Sequence, residues 1–361
     1  MSSQSKTGFR AGLILISISW FACTSGQGAN SEDSMEQVDS VTLVRNDAEK
    51  KVEVLVNGEL FTAYLYPETS AKPVLYPIKS AGGHDLTRGF PLDPRPGERV
   101  DHPHHIGIWF NYGDVNGLDF WNNSDAIPAD KKSGYGSIVH TEILTISESR
   151  EGAELEVGMN WIAPDGKILL KENTRFVFSS EGGKRVIDRI TTLTAHGQEV
   201  LFKDNKEGML GIRVARELEH PSDKPEIFTD ASGIATSVPT LNNEGVTGRY
   251  RSSEGIEGDN VWGTRGKWVN LSGEIQGEKV GLAVLDHPKN PGYPTYWHAR
   301  GYGLFAANTL GQKALSQGKE ELNFKLADGE SVTFRYRIVV YSGTPATDEV
   351  LNQDFSAFSE K

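Results

Sequence analysis

Short runs in which apolar and polar residues alternate constrain this chain more than any other feature. Val52, Val54 and Val56 alternate with Lys51, Glu53 and Leu55. Leu155, Val157, Met159 and Trp161 keep the same period, as do Val332, Phe334, Tyr336, Ile338 and Val340. A period of two places one set of side chains on a buried face and the other toward solvent or an opposing layer. Glu151-Gly152, Asp165-Gly166, Glu181-Gly182-Gly183 and Asp328-Gly329 punctuate these runs as turns. Further strands are predicted near residues 59–66, 105–111, 136–147, 168–180, 184–194, 199–203, 208–216, 267–275, 278–286, 302–309 and 320–326. Helical spacing occurs convincingly once, in Leu351, Phe355 and Phe358 after Thr347. Strands joined by turns without intervening helices pair antiparallel. The expected fold is therefore all-β: a large antiparallel β-sandwich with one C-terminal helix. The polar stretch 217–262 is expected as a long loop that shapes a binding site.

Charge and cysteine content remove several function classes. With 37 basic against 49 acidic side chains, the formal net charge is −12. Such a chain lacks the basic excess that replaces counterions on nucleic acid. A mean hydropathy of −0.42 excludes a polytopic membrane protein. One cysteine excludes an intramolecular disulfide, a CxxC zinc site and an iron–sulfur cluster.

The place of that cysteine is informative. Lys6 and Arg10 precede an apolar run from Ala11 to Ala22, and Cys23 follows directly. The run is too short to span a hydrocarbon core of ~30 Å as a helix, but it suits a signal peptide. Ala22 before Cys23 matches a bacterial lipoprotein cleavage site, although Trp20 and Phe21 depart from that pattern. An ordinary secretory signal is the alternative. The expected organisation is a signal peptide over 1–22, a flexible polar tether over 23–40, and a single large β-sandwich over 41–361. Lipidation of Cys23 would be the only membrane contact of an exported protein, in the periplasm or at the outer membrane or cell surface. It would leave the fold without a thiol nucleophile, so histidines and carboxylates would carry any chemistry.

The densest chemistry lies between His84 and Trp121, where His102, His104 and His105 fall within four positions beside Arg88, Asp101 and Asp119. In an extended strand His102 and His104 would share one face and His105 the other. Two readings compete. His102 and His104 could hold a divalent metal, though no glutamate follows as in a cupin. Alternatively, His104 or His105 is a general acid or base, with Glu207 as partner. Trp109 and Trp121 suit stacking on a sugar ring, and Asn111 and Asp119 could hydrogen-bond hydroxyls. A second cluster, KDNKEGMLGIR at 203–213, supplies Lys203, Glu207 and Arg213. A third follows the apolar strand ending at Asp286: His287, Asn290, Trp297, His298, Arg300 and Tyr302. His298 joins the catalytic candidates, and the others are candidates for binding substrate.

At these clusters the chain resembles a bacterial family labelled methane oxygenase PmoA-like, otherwise of unknown function. The matching pieces are HPHHIGIWFNYGDVNGLDFW at 102–121, KEGMLGIR at 206–213, GLAVLDHPKNPGYPTYWHARGYGLFAANTLG at 281–311 and FRYRIVVYSG at 334–343. The architecture is similar to the supersandwich of galactose mutarotases and related lyases. The resemblance implies an exported carbohydrate-active protein working on a small-molecule or oligosaccharide substrate. Epimerisation, elimination or hydrolysis by His/Glu acid–base chemistry is the leading expectation. A non-catalytic glycan-binding lipoprotein is one alternative. A metal-dependent oxygenase, as the family label implies, is another.

Overall fold

The computed structural model describes residues 39–361, so Cys23 and the signal and tether segments up to residue 38 lie outside the described residues. The first strands are β1 (Val41–Asn46), β2 (Lys51–Val56), β3 (Glu59–Leu65), β4 (Val74–Leu75) and β5 (Ile108–Tyr112). Four long strands follow: β6 (Ser137–Ser149), β7 (Gly152–Ile162), β8 (Ile168–Glu181) and β9 (Lys184–Ala195). Then come β10 (Val200–Phe202), β11 (Gly208–Arg213), β12 (Arg249–Ser252), β13 (Trp268–Ile275) and β14 (Glu278–Leu285). The last are β15 (Tyr296–Ala299), β16 (Leu304–Asn308), β17 (Phe324–Leu326) and β18 (Ser331–Ser342). The first sheet runs β1-β2-β3-β4-β5-β11-β16-β15, the second β12-β13-β14-β18-β9-β8-β7-β6, and β10 pairs with β17 alone. Among the described residues every pairing between these strands is antiparallel. The expected antiparallel sandwich is thus the observed architecture.

Alternation builds the interior. In β8, Leu170, Thr174, Phe176 and Phe178 are buried while Lys171, Asn173 and Arg175 are exposed. They meet side chains of the first sheet such as Phe61, Phe110, Leu210 and Trp297 in one large core. Glu172 also points inward, against the polar-out rule. Its carboxylate accepts hydrogen bonds from Trp161 Nε1 (2.7 Å), Thr174 Oγ1 (2.6 Å) and Arg189 Nη2 (2.8 Å), so the buried charge is compensated.

The predicted C-terminal helix is α2 (Asp348–Ser359), capped by the Thr347 side chain. It lays Leu351 and Phe358 on the outer face of the second sheet, with Val186, Trp268, Leu285 and Val339. A shorter one-turn helix, α1 (Gln312–Leu315), precedes it. Asp204 caps α1 by accepting from the backbone N–H groups of Gln312 (3.1 Å) and Lys313 (2.9 Å). The second sheet thus carries a helix on its outer face, and the first sheet carries the histidine cluster on its own.

Candidate functional site

Cross-strand register places the site. Trp109 of β5 pairs with Gly211 of β11, Gly211 with Ala306 of β16, and Ala306 with His298 of β15. These four residues form one row on the outer face of the first sheet. The next row, Phe110, Leu210, Ala307 and Trp297, faces the core. The small residues in the outer row are required. A Cβ on Gly211 would stand 2.5 Å from the Trp109 ring and 2.8 Å from Trp121, so Trp109 lies flat across the glycine.

A column of parallel rings rises from Trp109. His105 stacks on Trp109 at 5.0 Å, His102 on His105 at 4.8 Å, and Tyr302 on His102 at 5.2 Å. The expected strand geometry of the three histidines is overturned. Residues 102–105 form a turn closed by the His105 N–H donating to His102 O (2.9 Å), with Pro103 in the second position. His102 takes φ +45°. His102 and His105 therefore lie parallel, and the His104 ring crosses both.

Asp101 ties the column to two buried arginines. Its carboxylate accepts from Arg213 Nη2 (2.6 Å) and Arg88 Nη1 (2.9 Å), and bonds His102 Nδ1 (2.6 Å). Arg213 also lies over the Tyr302 ring at 5.0 Å. The two guanidiniums and His102 hold the Asp101 carboxyl far below the usual range, overriding its burial. Arg88 donates further to the carbonyls of Arg99, His102 and His105, which fixes the histidine turn.

A second histidine–carboxylate pair stands on the same face. His298 Nδ1 lies 3.1 Å from Lys206 O and 3.7 Å from Glu207 Oε2. The carbonyl requires Nδ1 to donate, which leaves the lone pair of the neutral ring on Nε2. Burial, then the charges of Lys206 and Arg300, push His298 down to about 3. Glu207 is only partly buried, and Lys206 Nζ pairs with its other oxygen. Tyr302 is pushed up by burial.

His105 and His104 behave differently. Burial and then neighbouring His104 and Arg213 push His105 well down, and its Nδ1 faces Arg213 Nη1 at 3.4 Å. Burial and Lys72 push His104 to about 2. Both are interior rings held neutral. Orphaned buried polar atoms concentrate here: Nε2 of His104 and His105, Nε1 of Trp109 and Trp121, Asn111 Oδ1 and Arg213 Nε. Asn111 Nδ2 donates to Phe120 O (2.6 Å), and Asp119 accepts from Asn122, so both brace the loop carrying Trp121. Among the described residues no group of three or more His, Cys, Asp or Glu is placed to share a metal ion, so His102 and His104 gain no further ligand.

Four expected site residues lie elsewhere. Trp297 points into the core and donates to Gly266 O (3.2 Å). His287 follows β14 in the second sheet and packs edge-on against Phe358 of α2. Asn290 ties that turn to β18 through Asp286 and Arg335. Lys203 is exposed, and its charge acts on Glu321. The cluster drawn from the 281–311 segment therefore divides: His298, Arg300 and Tyr302 join the histidine turn, and His287 and Asn290 do not.

Two clefts flank the column. One, of about 380 Å³, is walled by Tyr302, Arg300, Trp262, Arg99, His220 and Lys224. Trp262, over which Arg300 lies at 5.4 Å, was not legible as a site residue. It sits in the long polar loop, whose tail also contains β12. The other cleft, of about 250 Å³, is lined by His104 and by Lys72, a second residue the sequence did not single out.

The described architecture is that of a large antiparallel sandwich with an outer-face histidine–carboxylate site. Residues 51–356 match the family described as "Family of unknown function (DUF6807)", and the chain belongs to it. This replaces the PmoA-like assignment, and the oxygenase expectation loses the label on which it stood. No curated protein matches the chain. Among solved structures it is similar to the GH36 α-galactosidase AgaB of Geobacillus stearothermophilus, at 13% identity, TM-score 0.39, covering 83% of this chain and 41% of that one. The α-galactosidase of Lactobacillus brevis gives 9% identity, TM-score 0.38, and 88% and 41% coverage. Slr1438 of Synechocystis sp. PCC 6803 gives 12% identity, TM-score 0.30, and 84% and 96% coverage. The chain thus spans about two fifths of the length of these galactosidases. Glycoside hydrolases are among its structural neighbours.

Proposed function

We propose that the protein acts on a sugar or glycoside by histidine–carboxylate acid–base chemistry. The carrying observation is the convergence of two such pairs, Asp101–His102 and Glu207–His298, beside Tyr302 on one sheet face. His298, neutral with its lone pair on Nε2, is the general base. His102, half-exposed with Nδ1 tied to Asp101, is the second proton carrier. The acid–base role expected of His104 and His105 passes to these two, and Glu207 serves His298. Tyr302 and Trp262 provide the ring faces on which a sugar stacks, because Trp109, Trp121 and Trp297 are fully buried. Arg300 and Lys224 are the hydroxyl or carboxylate contacts.

A panel of glycosides and free oligosaccharides, followed by proton NMR, tests this reading. Glu207→Gln and His298→Asn are each expected to lower kcat/KM by roughly a hundredfold or more, and Glu207→Gln, at a partly exposed side chain, to do so with a melting temperature close to wild type. Unchanged turnover in both variants refutes the mechanism. Saturable binding of a glycan with no turnover by the wild type selects the glycan-binding alternative. The organisation that accompanies this function is a cleaved signal over 1–22, a tether over 23–40 and an exported body over 41–361.

A further inference from the structure

Lys72 is buried at 3% exposure, yet its ammonium has one hydrogen-bond acceptor, His104 O at 2.8 Å. Among the described residues no carboxylate stands within ion-pair distance of its Nζ. The Trp109 ring, 5.6 Å away, is its other neighbour of note. An isolated buried ammonium is costly, so the surroundings favour the free amine. The same lysine lines the cleft of about 250 Å³, with Leu65, Val74, Pro103 and Ile106 as apolar wall. His104, whose Nε2 has no partner, lies on that wall as well. Burial pushes Lys72 down to about 7, and Asp119 opposes it only in part.

We infer that Lys72 is a nucleophilic amine that condenses with the carbonyl group of a small aldehyde or an open-chain aldose entering this cleft. The Nζ lone pair forms a bond to the carbonyl carbon, and the C=O π pair moves to oxygen, which takes up a proton. The nitrogen gives up one proton to balance the one taken by oxygen, and then its second as the C=N bond forms, the hydroxyl taking a proton and leaving as water. Amine and carbonyl are thus converted to imine and water, with no oxidant or reductant. The site is separate from the Glu207–His298 pair and does not depend on its role.

The test is reductive trapping on the intact chain, with glycolaldehyde and cyanoborohydride at pH 7, read by peptide mass spectrometry. An ordinary lysine is almost wholly protonated at that pH, whereas burial lowers Lys72 to about 7 and raises its share of free amine. Lys72 is expected to be modified about tenfold faster than the exposed lysines 131, 203 and 319, with a pH–rate curve that levels off near pH 8. Leu65→Trp fills the cleft without removing the amine and is expected to abolish the preference. Labelling of Lys72 no faster than the exposed lysines, in a wild-type protein of native circular dichroism, overturns the inference. So does a preference that survives in Leu65→Trp.

Discussion

Replacing Asp101 with Asn removes the one carboxylate that two buried arginines share. Arg88 keeps the carbonyls of Arg99, Asp101, His102 and His105 as acceptors. Arg213 loses its carboxylate partner and keeps the neutral amide oxygen, His105 Nδ1, the face of Tyr302 and the field of buried Glu219, so most of the cost falls on it. Its side chain is 0% exposed, whereas Asp101 is 25% exposed. Breaking a buried ion pair costs about 3–5 kcal/mol, and the partial exposure of Asp101 with the remaining field of Glu219 sets the lower end, about 3 kcal/mol. For a folded body of this size, at about 2.1 cal/mol/K of unfolding entropy per residue, that corresponds to a fall in melting temperature of roughly 4–5 °C. Urea unfolding followed by circular dichroism supplies the free energy directly. The double variant Asp101→Asn, Arg213→Met removes both partners and is expected to regain at least half of the loss. A cost below about 1 kcal/mol in the single variant would refute the ion-pair argument. A double variant no more stable than the single one would also refute it.

Stability should also fall in mild acid. His298 and His104 are held neutral by burial, at about 3 and about 2, while in the unfolded chain each takes up a proton near pH 6.5. Between those limits the unfolded state binds more protons, so unfolding becomes easier as pH drops below about 6.5, by about 1.4 kcal/mol per pH unit for each ring. Urea midpoints at pH 7.5, 6 and 5 measure the slope. An equal slope in a His104→Asn, His298→Asn double variant would count against this origin. At the other end of the chain, intact-mass analysis of the membrane fraction should find a chain beginning at a diacylated Cys23. A retained signal segment or an unmodified N-terminus there would remove the lipoprotein reading.

The fold was legible where burial alternates, as in β2, β8 and most of β9, whereas in β14 and the end of β18 both faces are buried, the outer one under α2. The long strands β6 to β9, β13, β14 and β18 lie close to where the alternation puts them. Short elements escaped for physical reasons. Four-residue β15 lies in a Pro/Gly-rich segment, and its place comes from pairing with β16, a long-range effect that local pattern does not encode. That pairing separates His298 from Trp297, because adjacent strand residues point to opposite faces. Lys72 had no signal in the sequence, since its burial follows from long-range neighbours, the Trp109 ring and the carbonyl of His104 in the histidine turn. Glu172 was likewise invisible, as its inward direction is tolerable only through Arg189, Trp161 and Thr174 from three strands.

The histidine turn shows why segment and role separate. The sequence pattern marks the right segment, but the roles it implies hold only for an extended chain. A positive φ at a non-glycine residue costs about 1–3 kcal/mol, and among the described residues five of the six such positions are Lys, Asn or Gln. His102 is the remaining one. Its conformation persists because three contacts converge on it: Asp101 on Nδ1, Arg88 on its carbonyl, and two parallel rings on its faces. The same conformation turns His102 out of the interior while His104 and His105 turn in. Of three adjacent histidines, one is therefore exposed with a carboxylate behind it, and two are neutral walls. Neutralising Asp101 would loosen that arrangement as well as the arginine pair, so activity should fall further in Asp101→Asn than the stability loss alone explains.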